Sequence, residues 1–232
     1  MSYTHLLFDV DNTLLDFDRA EHDAMIDTLA TYGFPTDESL IAAYSRINDE
    51  HWKMLERGEI DRKTLMWHRF AAFGEQCDLS PMDPHAFCAT YVEKLSQKSY
   101  PMDGAVEVCA ALAERYTMAV ITNGNAVVQR GRFDPSPLRP YFARCFVSET
   151  VGVNKPEMAF FDAVCREMPE LRPERTLVIG DSLTSDIAGG VAWGTDTCWV
   201  CPNEQKRPLA AARGLQPTYV ISQLRELLRI LL

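Results

Sequence analysis

The chain has 232 residues and is 47% hydrophobic, so it can bury a proper core, as one domain or one domain with an insert, and is neither disordered nor collagen-like. Its 23 Lys and Arg against 33 Asp and Glu give a net charge of −10, which argues against binding to duplex nucleic acid. A small anionic substrate is compatible with the negative net charge, because a bound metal ion can make the local charge of a site positive.

The chain begins with a predicted strand over His5–Val10, a short apolar run that ends in carboxylates. Such a run is typical of a strand covered on both faces of a parallel sheet. Similar runs follow along the chain, and most are separated by apolar residues at helical spacing. The alternation predicts an α/β fold with a mostly parallel sheet. The other predicted strands are 118–121, 145–147, 177–179, 197–200 and 219–221.

Residues 16–98 break this alternation, because they show helical periodicity without a convincing strand. Asp61 is a plausible N-cap, and Asp83–Pro84 places a cap residue before a proline at the first helical position. We therefore predict a helical domain over 16–98, inserted into an α/β core formed by 1–15 and 99–232.

The cysteines indicate a reduced protein. There are seven, an odd number, and they are scattered. Cys198 and Cys201 form a CxxC within an apolar run, which favours a buried strand with reduced thiols over a redox motif. The N-terminus lacks the basic region of a signal peptide, and no apolar stretch approaches the roughly 18 residues of a membrane helix. We therefore expect a cytoplasmic protein with no membrane partner.

Polar residues follow four predicted strands, at the sheet edge where parallel sheets bind ligands. Two carboxylates about 4 Å apart repel by roughly 4 kcal/mol at an effective dielectric of 20, so a cluster of them requires a cation or protonation. Oxygen ligands without His or Cys indicate a hard ion such as Mg²⁺, and Mg²⁺ beside a lysine suits a phosphate substrate. Asp186 taken alone can also be interpreted as a helix cap. The residues concerned are Asp9, Asp11, Thr122, Asn123, Lys155, Asp181 and Asp186.

Taken together, these segments resemble the four motifs of the haloacid dehalogenase (HAD) superfamily of phosphohydrolases, in the order the family has them. The resemblance covers essentially the whole chain. It implies a Rossmann-like α/β core, the HAD fold, with residues 16–98 as an all-helical cap of the C1 type. The matching segments are Phe8–Leu14, Thr122–Gly124, Lys155–Pro156 and Gly180–Ser182 with Asp186.

The resemblance also implies a role for each matched residue. Asp9 is expected to attack phosphorus and form an aspartyl-phosphate. Asp11 is expected to protonate the leaving oxygen and then to activate water as a base. Thr122 and Lys155 are expected to hold the phosphoryl oxygens, with Asn12 and Asn123 completing the cradle through backbone N–H groups. The expected ion is Mg²⁺, with Mn²⁺ as a substitute, held by Asp9, the Asp11 backbone carbonyl and Asp181. Asp186 is expected nearby, as a further ligand or as a hydrogen-bond partner of the ligands.

A finer resemblance concerns the substrate. The segments Phe8–Phe17, Thr122–Asn125 and Gln129–Gly131 are similar to the bacterial pyrimidine 5′-nucleotidase (dUMP phosphatase) branch of the C1-capped enzymes. This implies a 5′-nucleotidase that acts on pyrimidine and deoxy nucleoside monophosphates. The alternatives are a sugar-phosphate phosphatase or hexose phosphomutase of the same superfamily, and a non-catalytic binding protein. Dehalogenases of the superfamily lack the second aspartate of the first motif, so Asp11 favours phosphoryl chemistry.

The cap must cover the leaving group, so substrate specificity is expected to lie within residues 16–98. A base stacked on an aromatic side chain is stabilised by about 1–3 kcal/mol. Phe17, close to the nucleophile loop, is the favoured candidate for this contact, whereas the spacing of Phe70 and Phe73 favours a place in the core. Hinges are expected near 16–18 and 99–103. The expected partner is a small phosphorylated metabolite, bound by a monomer or homodimer, and not a nucleic acid polymer.

Overall fold

The computed structural model describes residues 3–232 and confirms the predicted α/β fold with a parallel sheet. Its strands pair in the order β3-β2-β1-β4-β5-β6, and every neighbouring pair is parallel. The chain therefore builds outward from β1 to β3 and then returns to the centre to place β4 beside β1. The strands are β1 (His5–Phe8), β2 (Thr117–Thr122), β3 (Arg144–Val147), β4 (Thr176–Gly180), β5 (Asp196–Val200) and β6 (Tyr219–Ile221).

The helices fall into two groups. Four of them lie between β1 and β2 in a continuous run: α1 (Phe17–Thr31), α2 (Glu38–Glu56), α3 (Arg62–Gln76) and α4 (Pro84–Ser96). The others cover or border the sheet: α5 (Ala105–Ala113), α6 (Ala126–Phe133), α7 (Ser148–Val151), α8 (Met158–Glu167), α9 (Ala188–Trp193), α10 (Pro208–Ala212) and α11 (Glu226–Leu231). A π-helical turn, Leu183–Ile187, precedes α9.

Strand β1 is central and buried on both faces. Leu6 and Phe8 belong to a core cluster that includes Cys109 of α5 and Leu227 of α11. Leu7 points to the opposite face, because successive side chains alternate along a strand, and it packs in the cluster that contains Phe160 of α8. This two-sided burial explains why the strand sequence is almost continuously apolar.

The run α1–α4, here called the helical insert, has an apolar core of its own. Within it the ring of Tyr44 stacks on Phe70 with centroids 5.3 Å apart and meets Phe73 edge-on at 5.5 Å. All three side chains are fully buried, which confirms that Phe70 and Phe73 are core residues. The predicted caps are also present, since Asp61 accepts a hydrogen bond from the backbone N–H of Thr64 and Asp83, the N-cap of α4, accepts one from that of His85.

The two connections to the helical insert lie side by side. The backbone N–H of Asp16 donates to the Tyr100 carbonyl at 2.8 Å, and that of Met102 donates to the Leu14 carbonyl at 2.9 Å. The chain thus leaves the sheet region and returns to it through two linkers that are hydrogen-bonded to each other, here called the paired linkers. The division into a core of 1–15 with 99–232 and a cap of 16–98 stays a prediction.

Within residues 3–232, none of the helices combines the length and apolar character that crossing a bilayer demands. All seven cysteines are unpaired. Cys198 lies in β5 and Cys201 directly follows that strand, and both are buried, as predicted for reduced thiols.

Candidate active site

The candidate site lies where the carboxyl ends of β1 and β4 meet. The order of the strands reverses between these two neighbours, and such a point leaves a crevice for ligands. Strand β1 ends at Phe8, two residues earlier than predicted, but the backbone N–H of Asp9 still donates to the Ile179 carbonyl at 2.9 Å. Asp9 is thereby anchored to the sheet at its carboxyl edge, and Asp181 follows β4 beside it.

Three carboxylates gather at this edge. Asp9, Asp181 and Asp186 each offer an oxygen, and these atoms all lie within 4.8 Å of one another. Asp186 is fully buried in the π-helical turn, and its Oδ2 accepts a hydrogen bond from the backbone N–H of Ser182 at 3.1 Å. A Cβ on Gly180 would lie 2.2 Å from that Oδ2, so the glycine is required for the carboxylate to fold back against β4. Asp186 therefore faces the cluster, and Ser182 fills the cap position of the turn.

Lys155 supplies the cation of the cluster. Its Nζ donates to Asp9 Oδ1 at 2.7 Å, to Asp186 Oδ1 at 2.6 Å and to the Ile121 carbonyl at 2.7 Å, and the residue is 1% exposed. Burial alone would lower the pKa of Lys155, but Asp186 and Asp9 outweigh it and raise that pKa, so the group stays an ammonium. The Asn123 side chain holds the lysine backbone, since its Nδ2 donates to the Lys155 carbonyl and its Oδ1 accepts from the Lys155 N–H, both at 2.8 Å.

The charge balance of the cluster suits a divalent cation. Burial raises the pKa of Asp9 to about 7, against the opposing effect of Lys155. Burial, followed by the charges of Asp9 and Asp186, raises the pKa of Asp181 well above its usual value. A cation would stabilise the ionised forms of both carboxylates, and carboxylate oxygens are the donors that hard ions prefer. The residues present therefore fit Mg²⁺.

Asp11 points towards two residues that the sequence did not single out as site residues. Its Oδ2 accepts a hydrogen bond from Gln129 Nε2 at 2.6 Å, and its Oδ1 pairs with Arg132 Nη1. Both partners belong to α6, a helix that the periodicity of the sequence did not predict.

The hydroxyl of Thr122 is oriented by two donors. Its Oγ1 accepts from Gln129 Nε2 at 3.2 Å and from the backbone N–H of Gly124 at 3.1 Å. Because both contacts use oxygen lone pairs, the hydroxyl hydrogen can be donated to a ligand.

Asn12 shapes the loop after β1. It adopts a left-handed backbone conformation with φ of 58°. Its Oδ1 accepts from the backbone N–H groups of Phe17 at 3.0 Å and Asp18 at 3.2 Å, and its own N–H donates to the Leu15 carbonyl at 2.7 Å. The backbone N–H and the side-chain oxygen of Asn12 thus form hydrogen bonds within the loop. The side chain of Asn123 instead forms its hydrogen bonds with the backbone of Lys155.

A cavity of about 230 Å³ lies between the sheet edge and the helical insert. Its floor is formed by the predicted residues Asp9, Asp11, Asn12, Thr122, Asn123, Lys155, Asp181 and Asp186. The insert contributes Phe17, the candidate for substrate contact, together with Trp52, Glu56 and Arg69. The cavity thus joins the charged cluster to a wall that is partly aromatic.

Two side chains of the helical insert, those of Arg62 and Glu56, form hydrogen bonds with the sheet side of this cavity. Arg62, the first residue of α3, donates through Nη2 to the Asn123 carbonyl at 3.0 Å, Ser148 Oγ at 2.7 Å and Asn154 Oδ1 at 2.6 Å. Thr184 Oγ1 donates to Glu56 Oε2 at 2.8 Å. Neither contact could be inferred from spacing, because a charged residue at a helix end is ordinarily solvated.

Comparison with known proteins agrees with this geometry. The family model of haloacid dehalogenase-like hydrolases matches residues 3–194. The pyrimidine 5′-nucleotidase PynA of Streptococcus pneumoniae is 36% identical, over 98% of this chain and 94% of that protein. The pyrimidine 5′-nucleotidase YjjG of Escherichia coli is 28% identical, over 100% and 99% respectively.

A solved structure extends the likeness to three dimensions. The HAD-hydrolase YfnB of Bacillus subtilis, crystallised with magnesium bound, superposes with a TM-score of 0.93 at 35% identity. The match covers 100% of this chain and 99% of that one. At this identity and coverage the likeness extends over the sheet and the helical insert together.

Proposed function

The chain belongs to the haloacid dehalogenase-like hydrolase family, and we propose that it is a Mg²⁺-dependent phosphomonoesterase that hydrolyses nucleoside 5′-monophosphates. The observation that carries this proposal is the buried Lys155 ammonium, which bridges Asp9 and Asp186 beside Asp181 at the carboxyl edge of the sheet. A fixed cation next to a nucleophilic carboxylate suits the transfer of an anionic phosphoryl group. The similarity to two pyrimidine 5′-nucleotidases over nearly the whole chain supports the nucleotide substrate.

Asp9 and Asp11 divide the chemistry between them. An oxygen of the Asp9 carboxylate attacks phosphorus, the ester bond to the leaving oxygen breaks, and that oxygen takes a proton from Asp11. Asp11 then receives a proton from the water that attacks the aspartyl-phosphate, which releases phosphate and restores Asp9. Anchoring Asp9 to Ile179 and Lys155 favours its role as the nucleophile, because its position is fixed before substrate binds.

Lys155 and Thr122 stabilise the charge that spreads over the phosphoryl oxygens. Lys155 is held as an ammonium by its carboxylate neighbours, so it needs no reorganisation when the phosphate enters. The Thr122 hydroxyl donates its hydrogen, since its lone pairs are occupied by Gln129 and Gly124. We assign the backbone N–H of Asn123 to the same cradle.

Asp9, Asp181 and Asp186, with the Asp11 backbone carbonyl, are the groups that would hold Mg²⁺. When bound, the ion supplies positive charge to the phosphoryl oxygens and offsets the mutual repulsion of the carboxylates. The close likeness to magnesium-bound YfnB supports this choice of ion.

The helical insert forms the part of the site that contacts the nucleoside in this proposal. Phe17 and Trp52 offer flat surfaces for a base, and Arg69 adds hydrogen-bond donors. We assign residues 16–98 as a cap that closes over the substrate about its paired linkers and excludes water from the aspartyl-phosphate.

We also propose that the enzyme acts on free small metabolites in the cytoplasm. Its unpaired cysteines suit a reducing compartment. Its net charge of −10 disfavours a nucleic acid polymer as substrate.

A panel of phosphate esters with and without Mg²⁺ tests the proposal. We expect release of phosphate from UMP, dUMP and dTMP to exceed release from hexose phosphates, to depend on Mg²⁺ and to be lost in Asp9→Asn. The matched control Asp134→Asn changes an exposed aspartate and is expected to keep wild-type activity. Preferred turnover of hexose phosphates would contradict the nucleotidase assignment. Transfer of the phosphoryl group to a sugar hydroxyl, seen by product analysis, would indicate a mutase instead.

A further inference from the structure

Helix α6 presents two polar side chains to the site from a buried face. Gln129 and Arg132 are three positions apart, so they lie on the same side of the helix. They are 1% and 0% exposed. Burying a guanidinium is strongly destabilising unless it is paired, so the position of Arg132 depends on the groups that it contacts.

Together the two side chains fix the direction of the Asp11 carboxyl group. Arg132 Nη1 pairs with Asp11 Oδ1, and Gln129 Nε2 donates to Asp11 Oδ2 at 2.6 Å. Each carboxyl oxygen therefore has its own donor. The approach of Gln129 requires a glycine at position 124, because a Cβ on Gly124 would lie 2.2 Å from Gln129 Nε2. The same amide reaches Thr122 Oγ1 at 3.2 Å, so it links Asp11 to the hydroxyl assigned to phosphate.

Arg132 also contacts both connections to the helical insert. Its Nε donates to the Lys98 carbonyl at 3.0 Å, just after α4. Its guanidinium carbon lies 5.4 Å from the centroid of the Phe17 ring, at the start of α1. A single buried cation thus contacts Asp11 and the two chain segments through which the insert is attached.

We propose that Gln129 and Arg132 are positioning residues that hold Asp11 in place for proton transfer, and that Arg132 makes this placement depend on how the helical insert sits on the sheet. The inference rests on the proposed function, in which Asp11 protonates the leaving oxygen. A proton donor works only within hydrogen-bond reach of its acceptor, and a misplacement of about 1 Å lowers a rate by about 100-fold.

The test uses two esters that differ in how much their leaving group needs a proton. The alkoxide of a nucleoside is a poor leaving group, whereas nitrophenolate departs readily without protonation. We expect Arg132→Met and Gln129→Met to lower kcat/KM by about 10- to 100-fold for UMP and by a smaller factor for p-nitrophenyl phosphate. The ratio kcat/KM is informative because it reports the steps up to departure of the leaving group.

A double-mutant cycle separates positioning from general damage. In an Asp11→Asn background we expect the Arg132→Met change to cause no further loss on UMP, because its effect acts through Asp11. The control Arg130→Met changes an exposed arginine of the same helix and is expected to leave both rates at the wild-type level. If Arg132→Met fails to fold, the Gln129→Met variant tests the inference instead. Methionine is similar in size to glutamine but cannot donate a hydrogen bond to Asp11.

Two results would overturn the inference alone: equal losses on both esters in an otherwise active enzyme, or an undiminished loss in the Asp11→Asn background. A folded wild-type protein that hydrolyses neither ester would overturn the proposed function and this inference with it. The two failures are thus distinguished by the wild-type rates.

Discussion

Replacing Lys155 by methionine removes a buried ammonium while keeping a side chain of similar length. The Nζ atom lies 2.7 Å from Asp9 Oδ1 and 2.6 Å from Asp186 Oδ1. At an effective dielectric of 20, each attraction amounts to about 6 kcal/mol, opposed by the cost of burying the ammonium. Removing one partner of a buried ion pair costs about 3–5 kcal/mol in total, because the remaining charge is left unpaired. We therefore expect the free energy of unfolding of Lys155→Met in EDTA to fall by about 3–5 kcal/mol.

Urea unfolding in EDTA and in excess Mg²⁺ measures this loss. We expect the added substitution Asp186→Asn to recover part of it, because one of the crowded carboxylates is removed. Mg²⁺ is expected to reduce the loss as well, since a bound cation replaces the missing positive charge. The control Lys53→Met changes an exposed lysine paired with Asp49 and is expected to stay within about 0.5 kcal/mol of wild type.

The electrostatic reasoning would be refuted by a Lys155→Met protein that unfolds in EDTA within about 1 kcal/mol of wild type. It would equally be refuted by an Asp186→Asn change that adds to the loss instead of reducing it. Either result would mean that water or protonation, and not Lys155, relieves the repulsion between the carboxylates of the cluster.

Three further substitutions test the proposed cap and the proposed metal site. Arg62→Met removes the hydrogen bonds from α3 to the sheet edge. We therefore expect a larger radius of gyration by small-angle scattering and a higher KM. The control Lys63→Met changes an exposed lysine of the same helix and is expected to leave both quantities unchanged. Trp52→Ala is expected to lower kcat/KM for UMP by about 5- to 150-fold but not for ribose 5-phosphate, and an equal fall for both would argue against base stacking. Asp181→Asn is expected to weaken Mg²⁺ binding more than about 10-fold by calorimetry, and unchanged affinity would exclude Asp181 as a ligand.

The place of the site could be predicted from sequence because its residues follow strands. Asp9 and Asp181 are far apart in the chain, yet each comes at the end of a short apolar run that is typical of a buried strand, and Lys155 lies beyond a third such run, after α7. In a parallel sheet the carboxyl ends of such strands share one edge, so the pattern alone indicated that these residues meet. The 2.7 Å contact between Lys155 and Asp9 is the result of that topology.

Helix α6 was missed for a physical reason. A helix is recognised from apolar residues on its buried face, and in α6 that face carries Gln129 and Arg132 beside Val128 and Phe133, so it is only partly apolar. A signal was nevertheless present, because Asn125 is a good N-cap and accepts from the N–H groups of Val127 and Val128. Polar residues that serve a site disturb the local pattern by which helices are recognised, so sequence reasoning missed α6 although it placed the residues that follow the strands at one sheet edge.

Asp9 and Asp11 are two residues apart but are attached to different parts of the molecule. Asp9 is held to the sheet by Ile179 and Lys155. Asp11 is held by α6, and Asn12 after it is bonded to the first turn of α1. In the proposed movement of the helical insert about its paired linkers, Asn12 couples α1 to the loop that carries Asp11, whereas Asp9 is held on the sheet. This arrangement suits the proposed two-step reaction, in which Asp9 stays fixed as the nucleophile while Asp11 serves first the leaving oxygen and then the water.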